Sequence, residues 1–143
     1  MARRRATAVI VKDGAILITR NRWDRKFSLP GGGVDSDESS QAAVAREVRE
    51  ELGFTVVSVR PLTHFTRHQD HDVYLVTVKE ENPPRLQEEE IADALWWTGE
   101  AGTPVFDSVR QARRALRANS RSRSRHLRRH HRKSITSGAS EMR

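Results

Sequence analysis

Apolar positions along the chain fall into short runs with strand character and two stretches with helical spacing. Ala6 to Val11 and Ala15 to Thr19 are β-rich and flank Asp13-Gly14, a turn dipeptide, which predicts a hairpin. A polar stretch, Asn21 to Lys26, leads to Phe27-Ser28-Leu29-Pro30 and then Gly31, Gly32 and Gly33. Pro30 and the three glycines exclude helix there. From Asp35 to Leu52 the spacing predicts a helix: Val44, Val48 and Leu52 recur every fourth residue, with Ala45 beside them. Asp35 and Glu38 have capping-box spacing, Ser36 is a rival cap, and Gly53 sits where a helix-terminating glycine belongs. Phe54–Val59 and Val73–Val78 predict strands, the second the more clearly. The stretch between them is polar and carries His64, His68, Gln69, Asp70, His71 and Asp72. Asn82-Pro83-Pro84 predicts a loop, and Ile91 to Trp97 a buried or half-buried strand. Thr103-Pro104 predicts the start of a last helix running to about Ala118. No internal repeat is found.

With 143 residues the chain is long enough for one domain with its own core. It has no cysteine, which excludes a disulfide scaffold, a cysteine zinc site and a thiol nucleophile. No apolar run approaches the roughly 18 residues of a membrane span. The basic start, Met1 to Arg5, leads into an apolar stretch soon broken by Lys12-Asp13-Gly14, a poor secretory signal, so a cytoplasmic location is expected. The net charge is +7 and is unevenly placed: −4 over residues 1–108 and +11 over residues 109–143. The basic character therefore belongs to the C-terminal segment, and the acidic body needs its own account.

The acids of that body converge on the first predicted helix. On a helical wheel Glu51 lies about 40° from Glu47, and Glu50 about 60° to its other side. Three carboxylates on one arc repel one another. Such a cluster favours a hard divalent cation; magnesium commonly shares its shell with substrate phosphates, and manganese is a substitute. Arg46 stands four residues before Glu50 and can orient one carboxylate. The apolar stripe lies about 110° away, so the glutamates can face a cleft while the stripe faces a core.

Gly32, Glu38, Arg46-Glu47-Val48-Arg49-Glu50-Glu51-Leu52-Gly53 and Phe54 together resemble the Nudix box, G-x5-E-x7-R-E-U-x-E-E-x-G-U. All seven fixed residues match in spacing. Phe54 departs only in replacing the usual aliphatic residue by another large apolar one. The resemblance extends over about residues 5–118. It implies an α/β fold, an α/β/α sandwich with a mixed β-sheet, in a domain of residues 1–118. Residues 119–143 are then a basic tail. It also implies hydrolysis of a pyrophosphate bond in a nucleoside diphosphate linked to another group, or in a nucleoside triphosphate, by metal-activated water. By matching position, Glu47, Glu50 and Glu51 are the implied metal ligands, Arg46 holds the cluster, one glutamate is general base, and Gly32 and Glu38 shape the loop. A further acid after the box serves many members as base or ligand, and Glu90 is the candidate, with Glu88 and Glu89 as rivals. The competing reading is a non-catalytic module of the same fold that senses a nucleotide or contacts RNA through the tail.

Other residues carry two readings each. Arg20 and Arg22 either grip substrate phosphate or are surface charge. His64, His68 and His71 lack regular metal spacing and read as incidental loop residues. Trp96 and Trp97 face opposite sides of a strand, one toward the core and the other available to a nucleobase; Trp23 is a second stacking candidate. The tail, rich in Arg, Ser and His, predicts disorder or a frayed helix, with unspecific phosphate contact as its nucleic-acid role. The marks of substrate subgroups are missing or displaced: Asp70 stands where a proline would indicate ADP-ribose, and Tyr74 is late for dinucleoside polyphosphates. The Leu17-Ile18-Thr19-Arg20 segment is only faintly like the coenzyme A subgroup. The expected partner is a small nucleotide substrate, with no membrane, for a monomer or a homodimer.

Overall fold

The computed structural model describes residues 4–63, 65, 71–79 and 83–121. Strands β1 (Arg5–Val9), β4 (Gly31–Gly33), β5 (Thr55–Pro61) and β6 (His71–Lys79) form a sheet in the order β4-β1-β6-β5. It is mixed, because β1 and β6 run parallel while the other two pairs are antiparallel. A second, antiparallel sheet has the order β2-β3-β7, from β2 (Val11–Lys12), β3 (Ala15–Asn21) and β7 (Ile91–Trp97). Helix α1 (Ser40–Leu52) and helix α2 (residues 107–121) complete the described elements.

Strand alternation divides the core in two. Ala6, Ala8, Leu17, Tyr74, Val76 and Val78 face one cluster, which is closed by Ala43, Val44, Val48 and Leu52 of α1. Val9, Ile16, Ile18, Val73 and Trp97 face the other, which is closed by Val109, Ala112 and Ala115 of α2. Both sides of these strands are buried, and this is why they read as continuous apolar runs rather than alternating ones. The expected α/β/α layering with a mixed sheet is what the chain adopts.

Four local expectations change. Only β2 and the start of β3 form the hairpin, through Val11 with Ile16 and Lys12 with Ala15. Residues Ala6–Val9 turn away into the other sheet, because β1 finds a parallel partner in β6. Helix α1 starts five residues later than Asp35. Neither Asp35 nor Ser36 caps it: Ser39 does, its side chain accepting from Ala42 N at 3.1 Å. Asp35 and Glu38 instead close a separate turn, with Asp35 N donating to Glu38 Oε1 at 3.0 Å. Thr103-Pro104 do not open α2, because Pro104 O accepts from Phe27 N and Val105 bridges Phe27 in parallel. That extended segment pins Phe27, at the end of the polar loop, into the second core. Finally, β5 and β6 run further than their apolar cores, through Pro61 and from His71 to Lys79. His64, His68, Gln69, Asp70, Asn82 and residues 122–143 lie outside the described residues.

Candidate active site

Helix α1 places the glutamates. Gly53 ends it in the left-handed region at φ 68°, its N–H donating to Arg49 O. The buried stripe of Val44, Val48 and Leu52 fixes the rotation of α1 on the sheet. Rotation then grades the acids: Glu51 is 5% exposed, Glu47 is half-buried, and the Glu50 side chain is half exposed.

Strand β4 supplies the facing wall. It lies antiparallel to β1, with Thr7 opposite Gly31 and Ala6 opposite Gly32. Gly31 has φ +150°, and a Cβ there would lie 2.8 Å from Thr7 Cα. A Cβ on Gly32 would lie 2.5 Å from Glu47 Cδ. The bare Gly31 lets β4 lie close on β1, the bare Gly32 lets the sheet approach Glu47 closely, and the Gly31 N–H acts on the Glu51 carboxyl.

Arg46 ties the loop to the helix. Its Nε and Nη2 reach Glu38 at 3.1 and 2.6 Å, and Nη2 also reaches Gly33 O at 3.2 Å. Its Nη1 reaches Glu47 at 3.1 Å and Glu50 at 3.2 Å, and Asp35 lies 3.6 Å from Nη2. Glu38 foremost, and Glu47 after it, raise the guanidinium pKa further above its ordinary value. Glu38 therefore joins Arg46 to the Asp35 turn, and α1 begins only after that turn, at its own cap Ser39.

The fourth acid arrives from far along the chain. Arg85 N donates to Leu52 O at 2.7 Å and Gln87 N to Glu51 O at 3.0 Å, so the segment before β7 is bound to the last carbonyls of α1. Glu90 O accepts from Arg22 N at 3.0 Å. Glu90 comes near enough for its charge to act on Glu51. The carboxyl of Glu51 is pushed up to about 8, first by burial, then by its hydrogen bond with Glu47 and the charges of Glu47 and Glu90; the Gly31 N–H opposes the shift.

The structure therefore brings together Gly32, Glu38, Arg46, Glu47, Glu50, Glu51 and Glu90. Glu88 faces an open groove of about 920 Å³ beside them, shared with Arg20, Arg22, Leu86, Ile91 and Ala92. Trp23 adjoins Arg22 and is 81% exposed. Trp97 is buried, whereas Trp96 packs against the α1 side of the core with Lys12 Nζ 5.9 Å from its ring centroid. His71 is hydrogen-bonded to Thr7. The Gly31 N–H was not legible in the sequence, because nothing in a run of three glycines says which one faces an acid.

Among the described residues no three His, Asp or Glu side chains already stand at the spacing of a metal-ligand set. The donor chemistry nevertheless fits a hard divalent cation. Carboxylate oxygens crowd around a buried, repelled Glu51, and Arg46 reaches Glu38, Glu47 and Glu50 among the box acids but not Glu51.

Comparison with known proteins agrees with this geometry. The family model for the NUDIX domain matches residues 2–118. The NAD-capped RNA hydrolase NudC of Mycobacterium bovis is 46% identical over 61 residues, which are 40% of this chain and 20% of that protein. The human diphosphoinositol polyphosphate phosphohydrolase 3-beta is 34% identical over 73 residues, covering 48% of this chain. The chain thus spans a fifth of the mycobacterial relative's length in the match. A crystal structure of a nudix hydrolase family member from Chromobacterium violaceum superposes with TM-score 0.63 at 30% identity, covering 87% of this chain and 81% of that one. A MutT NUDIX hydrolase from Burkholderia pseudomallei gives 0.62 at 25% identity, covering 80% and 97%. With the family model matching most of its length and the box residues gathered at one site, the chain belongs to the Nudix hydrolase family.

Proposed function

We propose that the chain hydrolyses a pyrophosphate bond in a small nucleotide, either a nucleoside diphosphate linked to a second group or a nucleoside triphosphate, with magnesium as cofactor and manganese as a substitute. The observation that carries this reading is the burial of Glu51 where Glu47, Glu90 and the Gly31 N–H converge. The matched relatives are by name an NAD-capped RNA hydrolase and a diphosphoinositol polyphosphate phosphohydrolase, which supports a hydrolase of phosphorylated substrates.

Glu47, Glu50 and Glu51 would hold the ion. When bound, it supplies Lewis acidity at a phosphoryl oxygen and lowers the pKa of water. The attacking water forms a new P–O bond, the bridging P–O bond breaks, and two phosphate-bearing products leave. A carboxylate of the cluster accepts the water's proton; Glu51, Glu47 and Glu90 are the acids placed for it. Arg46 keeps Glu47 and Glu50 oriented. Gly32 keeps β4 thin enough for Glu47 to sit against backbone. Arg20 and Arg22, lining the neighbouring groove, meet the anionic part of the substrate.

The test is a substrate panel of ADP-ribose, dinucleoside polyphosphates, coenzyme A derivatives and nucleoside triphosphates, assayed with magnesium and with manganese and with the products identified. At least one class is cleaved, a chelator stops the reaction, and Glu50→Gln and Glu51→Gln each lose about 100-fold or more in turnover. No hydrolysis of any member with either ion overturns the reading.

A further inference from the structure

Helix α2 carries five arginines, Arg110, Arg113, Arg114, Arg117 and Arg121, against a single acid, Asp107. Their distribution around the helix is uneven. Arg110, Arg114, Arg117 and Arg121 are spaced four, three and four residues apart and fall within an arc of about 60°. All four are exposed. The buried residues Val109, Ala112 and Ala115, with Leu116 beside them, lie on the opposite side, centred roughly 190° away. Arg110 is paired with Asp107 at 3.1 Å, and Arg113 leans over the Trp97 ring. Among the described residues no acid pairs with Arg114, Arg117 or Arg121. The stripe runs about 16 Å along the helix. In the sequence the same spacing continues at Arg125, Arg128 and Arg132.

We infer that this face of α2 is a docking surface for a nucleic-acid strand, held through its phosphates. Charge complementarity points to a polyanion, and a linear row of cations fits one whose charges are themselves in a row. All the cations are arginine, whose planar fork takes phosphate oxygens in pairs. The stripe carries no aromatic residue, so it offers no stacking platform and reads no sequence. A membrane surface fits less well, because interfacial helices sink an apolar face into lipid and that of α2 is spent on the core. The inference is independent of the proposed hydrolysis, since the stripe shares no residue with the acid cluster.

The test uses the full chain and a fluorescein-labelled 20-nucleotide single-stranded RNA, with anisotropy read between 50 and 200 mM NaCl. The wild type binds, with affinity falling steeply as salt rises. The triple variant Arg114→Gln/Arg117→Gln/Arg121→Gln loses affinity at 50 mM salt. Its log–log salt slope is shallower by about 2, from three lost contacts at about 0.7 each on a single strand. The corresponding Arg→Lys triple keeps the wild-type slope within about 0.5, because a phosphate contact needs charge. A thermal melt accompanies each variant, and the Lys triple carries the comparison if the Gln triple melts early. An unchanged slope in the Gln triple, no RNA binding by the wild type, or binding only to vesicles rich in anionic lipid each overturns the inference.

Discussion

A methyl group on Gly32 is the smallest change that separates the fold from its chemistry. The added Cβ would lie 2.5 Å from Glu47 Cδ and 2.9 Å from Oε2. Ordinary carbon contacts begin near 3.5 Å, so the Glu47 carboxylate must withdraw by about 1 Å. Gly32 is not among the residues with positive φ, so alanine takes its backbone without strain. Alanine in a strand is itself worth about 0.5–1 kcal/mol over glycine, so global stability should stay within about 1 kcal/mol of the wild type. Activity should not stay. A displacement of about 1 Å at a positioning group costs about 100-fold, or roughly 2.7 kcal/mol of transition-state stabilisation. The assay is kcat/KM on whichever substrate the panel identifies, alongside a urea melt. A second background makes the test specific: in Glu47→Ala the clash is gone, so Gly32→Ala should cost little more there. Wild-type kcat/KM in Gly32→Ala, or an equal loss in both backgrounds, would refute the reasoning.

Three further outcomes are expected. In chelator, the proton that Glu51 keeps up to about 8, against 4.5 in the unfolded chain, stabilises the fold below pH 4.5, and this contribution is lost as pH rises to 8. The urea midpoint should fall across that window and Glu51→Gln should flatten the fall; a flat wild-type profile contradicts it. Arg46→Ala leaves Glu38, Glu47 and Glu50 without their shared cation and should cost on the order of 2 kcal/mol by urea denaturation, with no change the contrary result. Leu52→Ala, at a site with 0% exposure under the sheet, should cost about 2–5 kcal/mol, and a loss under 1 would mean that α1 is not clamped as described.

What the sequence revealed depended on range. The α1 stripe and the arc of Glu47, Glu50 and Glu51 were legible because helical geometry alone relates residues three and four apart. Trp96 and Trp97 were legible as opposite-facing because a strand's period is two. The parting of Ala6–Val9 from the Val11–Lys12 hairpin was not, since it is decided by β6, more than sixty residues on. Asp35 and Glu38 do interact, as their spacing suggests, but in a turn of their own, and α1 begins only at the next cap, Ser39. Pro104 looked like a helix start; its carbonyl is instead spent on Phe27. Glu90 was one of three adjacent glutamates in the sequence. What singles it out is a set of backbone bonds from Arg85 and Gln87 to α1 and from Arg22 to Glu90.

The strands that divide the core also make its halves inseparable. Strands β1, β3, β6 and β7 each send alternate residues to the α1 side and the α2 side. These four strands cannot stay ordered on one side while the other side melts. Amides in α2 should therefore slow their exchange with solvent when a ligand settles against α1, although the two helices lie on opposite faces. Substitutions beneath the arginine-bearing helix would in the same way loosen the grip on the glutamates, with no signal passing between the sites. The two surfaces share one melting event.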